Sequence, residues 1–221
     1  MPDTSRPTTR ELVLVPAIIT LAVTALRLVG ELQGWDQKLF NRAGGGGGAI
    51  IGISWLPLFF GVYFAWRLVR AGEGPASVGK ALGMAVLGLL IFPAVLWIAS
   101  TLGAPQLGMI FIACFVSLGA GTVACQGWPE LGKTLFVYAL AARVPVAVLM
   151  LPAILGRWGT HYDALPPDFP AMSPVATWAV VGLFPQLTLW IGLTLVMGML
   201  TGSITAAVLR GRRHQAVPSP A

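Results

Sequence analysis

Six runs of apolar residues punctuate the chain, at about 11–32, 49–70, 79–102, 105–126, 133–155 and 176–209, with short polar connections between them. Each of the first five is long enough for one crossing of a hydrocarbon core about 30 Å thick. The sixth is too long for one crossing, and Pro185 falls inside it. Proline has no backbone N–H and clashes with the preceding turn. The pattern therefore predicts an interfacial or re-entrant piece over 176–184 and a span over 186–209. The runs are continuous rather than alternating, which predicts helices and not a barrel. A helix also satisfies its own backbone inside lipid. The expected architecture is an all-α integral membrane protein, one polytopic domain over 1–221. It is a bundle of six transmembrane helices with proline-kinked spans and a basic tail at 210–221.

The connections differ in character. Almost nothing separates the third and fourth runs, which predicts an antiparallel hairpin. Gly44 to Gly48 form five consecutive glycines between the first two runs, a flexible stretch with no side chains to pack. The connection over 156–175 carries Pro166, Pro167, Pro170 and Pro174, which restrict its backbone.

Composition excludes the soluble alternatives. Of 221 residues, 56% are hydrophobic and only 10% charged, against about 25% charged in soluble domains. Mean hydropathy is +0.80. The net charge of +6 would suggest nucleic acid in a soluble basic domain. Here it splits into small clusters between apolar runs and reads as a topology signal, so no nucleic-acid partner is expected. With six crossings and the N-terminus inside, Arg6, Arg10, Arg67, Arg70, Lys80, Lys133, Arg210, Arg212 and Arg213 lie inside, and Lys38, Arg42 and Arg157 outside. The positive-inside rule then puts both termini in the cytoplasm. Trp35, Trp55, Trp97, Trp158 and Trp178 fall near the outer boundary, and Trp66 and Trp128 near the inner one, as an aromatic belt would. Arg6 and Arg10 precede the first run, but Arg27 and Glu31 follow it in place of a cleavage site, so it reads as an uncleaved span. The excess of arginine over lysine and the lack of an organelle signal point to a bacterial plasma membrane. Cys114 and Cys125 would lie about 16 Å apart on one helix, too far for a disulfide. They read as packing residues.

Charges inside apolar runs are the first candidate chemistry. Arg143 falls near the middle of the fifth run, and Arg27 and Glu31 toward the outer end of the first. A charge at mid-bilayer costs about 2.5–3.5 kcal/mol on insertion scales, so such residues face inward and find partners. Arg27 and Glu31 are spaced i,i+4 and can pair, and Thr24 and Thr20 continue that face toward the midplane. Two arginines and one glutamate leave Arg143 without a carboxylate at its own depth. It then either clamps carbonyls freed by Pro57, Pro93, Pro145 or Pro185 or lines a polar cavity for an anionic or carboxylate-bearing solute. Snorkelling to a lipid headgroup is a further option, mainly for Arg27.

The connection over 156–175 is the second. Arg157, Trp158, His161, Tyr162, Asp163 and Asp168 cluster there. His161 with Asp163 or Asp168 could form an acid–base pair, cap a cavity, or simply tie the loop down, with Trp158 and Tyr162 anchored at the interface. A catalytic zinc site needs three protein ligands, mostly His, and one histidine cannot supply them, so neither metal nor cofactor is expected. Gly79/Gly83 and Gly198/Gly202 are GxxxG pairs, which let helices approach closely within the chain or across a homodimer. Pro129 and Glu130 suit a helix first turn. No nucleotide, hydrolase, metalloprotease or channel-filter motif is present.

These features predict a small transporter or channel-like permease for an anionic or carboxylate-bearing solute, embedded in the lipid bilayer. Its expected binding residues are Arg143, Arg27, Glu31, Thr24, Thr20, His161 and Asp163. A non-catalytic scaffold, sensor or assembly factor is the alternative, followed by a membrane enzyme on a lipid-like substrate using His161 and Asp163. A transport path predicts a wet route past Arg143; an enzyme predicts a one-sided pocket walled by His161; a scaffold predicts no cavity and fully paired charges.

Overall fold

The computed structural model describes residues 8–44, 49–166 and 169–215, with side chains to Arg212. Arg6, Gly45–Gly48, Asp168 and the last residues of the tail lie outside the described residues. Helices α1 (Thr9–Leu32), α2 (Leu56–Arg70), α3 (Val78–Thr101), α4 (Gln106–Cys125) and α5 (Pro129–Gly156) follow in order. A composite helical segment comes next: α6 (Pro174–Thr177), a π-turn (Trp178–Leu183), α7 (Phe184–Leu187) and α8 (Leu189–Gln215). No strand occurs among the described residues. Five helices are long and apolar enough to cross a membrane, by length and composition: α1, α3, α4, α5 and the continuous stretch Pro174–Arg212. Several apolar helices of this kind are compatible with a polytopic membrane protein. Large apolar side chains stand exposed around the bundle, among them Ile18, Leu21, Phe59, Leu90, Phe115 and Val148.

Local signals explain the helix ends. Thr8 and Glu11 form a reciprocal capping box at the start of α1, satisfying two donors that a helix N-terminus leaves over. Pro129 and Glu130 occupy the first turn of α5, as expected. The connection between α3 and α4 is four residues turning through Gly103 (φ +72), and the two helices pack along their length as the expected hairpin.

Two expectations change. The run over 49–70 forms a helix only from Leu56, 15 residues long, or about 22 Å, short of a full crossing. Pro57 sits in its first turn, where no N–H is needed, so it frees no carbonyl. The last run does not break at Pro185. The π-turn before it shifts the hydrogen-bond register, with the Phe184 N–H reaching Ala179 O. Pro185 then opens α7 where a missing donor costs nothing. The interruption comes at Thr188 (φ −128, ψ −72), whose hydroxyl donates to Phe184 O at 2.6 Å. The interfacial piece and the span are thus one bent helical segment.

Helix α8 is the hub, packed against α2, α3, α4 and α5. Small residues allow this. A Cβ on Gly192 would fall 2.2 Å from Ser117 O, and one on Gly61 would fall 2.5 Å from Gly198 O. Close backbone approach of this kind is how small residues pack apolar helices together. Gly198 and Gly202 are used within the chain, against Leu135 and Leu131. A Cβ on Gly83, by contrast, would meet nothing. The main core gathers Leu12, Phe64, Leu131, Leu135, Tyr138 and Met199 toward the end bearing the α2–α3 and α4–α5 turns. Trp128 is buried there, donating to Glu73 O at 2.9 Å, and is not a belt residue.

Candidate functional site

The opposite end holds the connections over 33–55 and 157–173, and Glu31 ties them to α1. Its side chain is 0% exposed. Arg27 Nε donates to Oε1 at 2.7 Å, and the His161 backbone N–H donates to Oε2 at 2.8 Å. His161 Nδ1 also lies 2.6 Å from Oε1, but off the axis of a proper hydrogen bond. Arg42 Nη2 donates to the Glu31 carbonyl, and Arg27 Nη2 to Asn41 O at 3.0 Å. The two candidate clusters read from the sequence are therefore one. The i,i+4 pair forms as expected, and His161 joins it 130 residues further along the chain.

His161 and Asp163 do not form the expected acid–base pair. Asp163 Oδ1 accepts from the Thr160 N–H and hydroxyl, both at 2.7 Å, and Oδ2 accepts from the Gly159 N–H at 2.8 Å. That carboxylate holds its own turn, which starts where Arg157 (φ 49) and Gly159 (φ +66) reverse the chain after α5. Burial holds the His161 imidazole below its ordinary pKa and Arg27 adds to this, while Glu31 opposes it. Tyr162 is not an interface anchor. It is buried against Val146, Met150 and Ala153, and its hydroxyl donates to Thr24 O at 3.4 Å. Burial raises its pKa.

Beneath this loop lies a cavity of about 450 Å³. Thr24, Arg27 and His161 contribute one side of it, Arg143, Val146 and Met150 the floor on α5. Leu96 from α3, with Met109, Ile110 and Ala113 from α4, forms an apolar wall, and Val181, Gln186 and Trp190 close it from the last segment. Size and lining are those of small-molecule sites, mostly apolar with a few polar groups.

Arg143 is 4% exposed and makes no hydrogen bond or ion pair among the described residues. Its guanidinium carbon lies 4.7 Å above the Trp190 ring, a cation–π arrangement. The carbonyls freed by Pro93, Pro145 and the unanticipated Pro16 and Pro152 are not its partners. Gln186 is a second incomplete group. It is 8% exposed, its Nε2 reaches Met150 Sδ at 3.7 Å, and its Oε1 has no partner. Thr20 lies outside the cavity, one turn below Thr24. Its hydroxyl donates to Pro16 O at 2.8 Å and lies 2.9 Å from Tyr138 Oη. Phe60 and Phe64 each pack edge to face on Tyr138 around this point.

Gln186 carries a signal in the sequence, as the sole amide in the last apolar run; Trp190 follows four residues later, beyond the interruption at Thr188. Among the described residues no three His, Cys, Asp or Glu side chains gather into a metal site. The fold and site thus define an α-helical bundle, compatible with a polytopic membrane protein, around a cavity lined by an arginine without an ion-pair partner among the described residues. No family model, curated protein or solved structure matches the chain.

Proposed function

We propose that the chain is a membrane-embedded permease that binds an anionic or carboxylate-bearing solute in this cavity, with the 157–173 end facing outward. The observation that carries the reading is Arg143: buried, cationic and unpartnered in the wall of a cavity. Taking a cation out of water without a counter-charge is costly, so the site is electrostatically incomplete until an anion enters. Arg27 does not share that role, because Glu31 neutralises it. A scaffold would need neither the cavity nor the unpaired charge. His161 in the cavity wall, held by Glu31, favours as second reading an acid–base site on a lipid-like substrate.

Vesicle uptake tests the proposal. Octanesulfonate is permanently ionised and cannot cross as a neutral acid. Purified protein in liposomes should admit it faster than protein-free vesicles, and Arg143→Gln should abolish the difference. Uptake no faster than in protein-free vesicles would sink the transport reading.

A further inference from the structure

Three residues lining the cavity carry a buried polar atom without a hydrogen bond: Arg143 Nε, Gln186 Oε1 and His161 Nδ1. His161 Nδ1 already lies beside Glu31 Oε1, and the other two ask for different things. Arg143 offers donors, and an anion accepts them. Gln186 offers an acceptor: its Nε2 reaches the Met150 sulfur, which has no hydrogen to give, and Oε1 is left without a donor. A buried acceptor left unmade costs about as much as a lost hydrogen bond. Gln186 and Trp190, whose ring carries Arg143, lie on either side of the interruption at Thr188 and line the same cavity. Between and around them the wall is Leu96, Met109, Ile110, Val146 and Val181. A volume of about 450 Å³ suits a drug-sized body and is too small for the two acyl chains of a bilayer lipid. One cation without a counter-charge asks for a single negative charge.

We infer that the ligand is a single-chain monoanionic amphiphile that also carries a hydrogen-bond donor, a hydroxyl or N–H. The acid sits on Arg143, the donor on Gln186 Oε1, and the apolar body against α3 and α4. This rests on the anion-site reading above and adds the donor and the single chain.

Calorimetry on the full chain in phosphatidylcholine nanodiscs, with empty discs subtracted, tests it with three probes: octanoate, 6-hydroxyoctanoate and 6-methoxyoctanoate. The hydroxy acid should bind about tenfold tighter than octanoate, the effect of one buried hydrogen bond. The methoxy acid, an acceptor without a donor, should gain nothing. Gln186→Leu should erase the hydroxyl gain, so that octanoate and its hydroxy form bind the variant alike. Equal binding of octanoate and its hydroxy form to the unmodified protein overturns the inference without needing the variant, and so does a methoxy gain equal to the hydroxyl gain. Octanoate binding should persist in discs containing phosphatidylglycerol; its loss there would assign the site to a lipid headgroup. Absence of octanoate binding, or binding unchanged by Arg143→Gln, would remove the anion site itself, an outcome distinct from failure of the donor.

Discussion

Replacing Arg143 by leucine separates a ligand-binding arginine from a structural one by the sign of its effect on stability. A charge at the centre of a spanning helix costs about 2.5–3.5 kcal/mol. What Arg143 recovers within the protein is its contact with Trp190, about 0.5–2 kcal/mol for a cation–π pair. The balance leaves about 0.5–3 kcal/mol to be gained by leucine, an upper bound because water in the cavity can solvate the guanidinium nitrogens. Truncation to a branched apolar chain beside Val146 and Met150 leaves no polar atom behind, since no carbonyl depends on Arg143. Thermal unfolding in a nonionic detergent should show an unchanged or raised midpoint, by a few degrees at the scale of a 200-residue chain. In ligand-binding conditions the same variant should lose the anion. A midpoint lowered by several degrees would refute the reasoning, because it would mean that the guanidinium holds protein carbonyls together.

Two further outcomes follow from the packing and the loop. Gly192→Ala forces a Cβ to within 2.2 Å of Ser117 O and should cost about 1–3 kcal/mol, whereas Gly83→Ala meets nothing and should stabilise α3 by about 0.5–1 kcal/mol; equal shifts in unfolding midpoint would contradict the assignment of α8 as the hub. Burial depresses the His161 pKa below 6.5, so the unfolded chain binds its proton first as pH falls; the contribution of neutral His161 is intact above pH 6.5 and lost progressively below it. The unfolding midpoint should fall on acidification and His161→Gln should flatten that fall, while an identical pH profile in the variant would show that the imidazole plays no part.

Much of the bundle is legible in the chain because its helices are long, continuous apolar runs that satisfy their own backbone. The α3–α4 hairpin follows from the near absence of polar residues between two runs, and the Arg27–Glu31 pair follows from helical spacing alone. The departures have physical causes of another kind. Pro185 looks like a break because the rule for proline assumes an unbroken α register; a π-turn over Trp178–Leu183 moves the register and leaves proline where its lost donor is not needed. The run over 49–70 is apolar throughout, yet its first residues are held in an irregular segment where Gly52 comes close to the Arg27 guanidinium, and hydropathy does not distinguish that from helix. The meeting of His161 with Glu31 is a tertiary contact with no local signature. Gln186 was visible as an isolated amide, but its meaning depends on Met150 and Trp190 lying across from and below it.

The charge arithmetic of the site depends on where one carboxylate sits. Glu31 is saturated: it faces Arg27 through Oε1 and accepts the His161 N–H through Oε2, and its carbonyl takes Arg42. Those bonds anchor both loops to the end of α1, so the same group that builds the roof of the cavity is unable to neutralise its floor. Arg143 lies near the middle of α5, below that roof, with an aromatic face beneath it and apolar walls beside it. Had the carboxylate stood two turns lower on α1, near Thr24, the cavity would hold a neutral pair and have no use for an anion. Its placement at the helix end instead holds the loops and leaves Arg143 Nε and Gln186 Oε1, on residues that line the cavity, without a protein partner. On the proposed reading that division separates a binding site from a packing defect: burial costs that Glu31 offsets for Arg27 are left, at Arg143 and Gln186, for a ligand to offset.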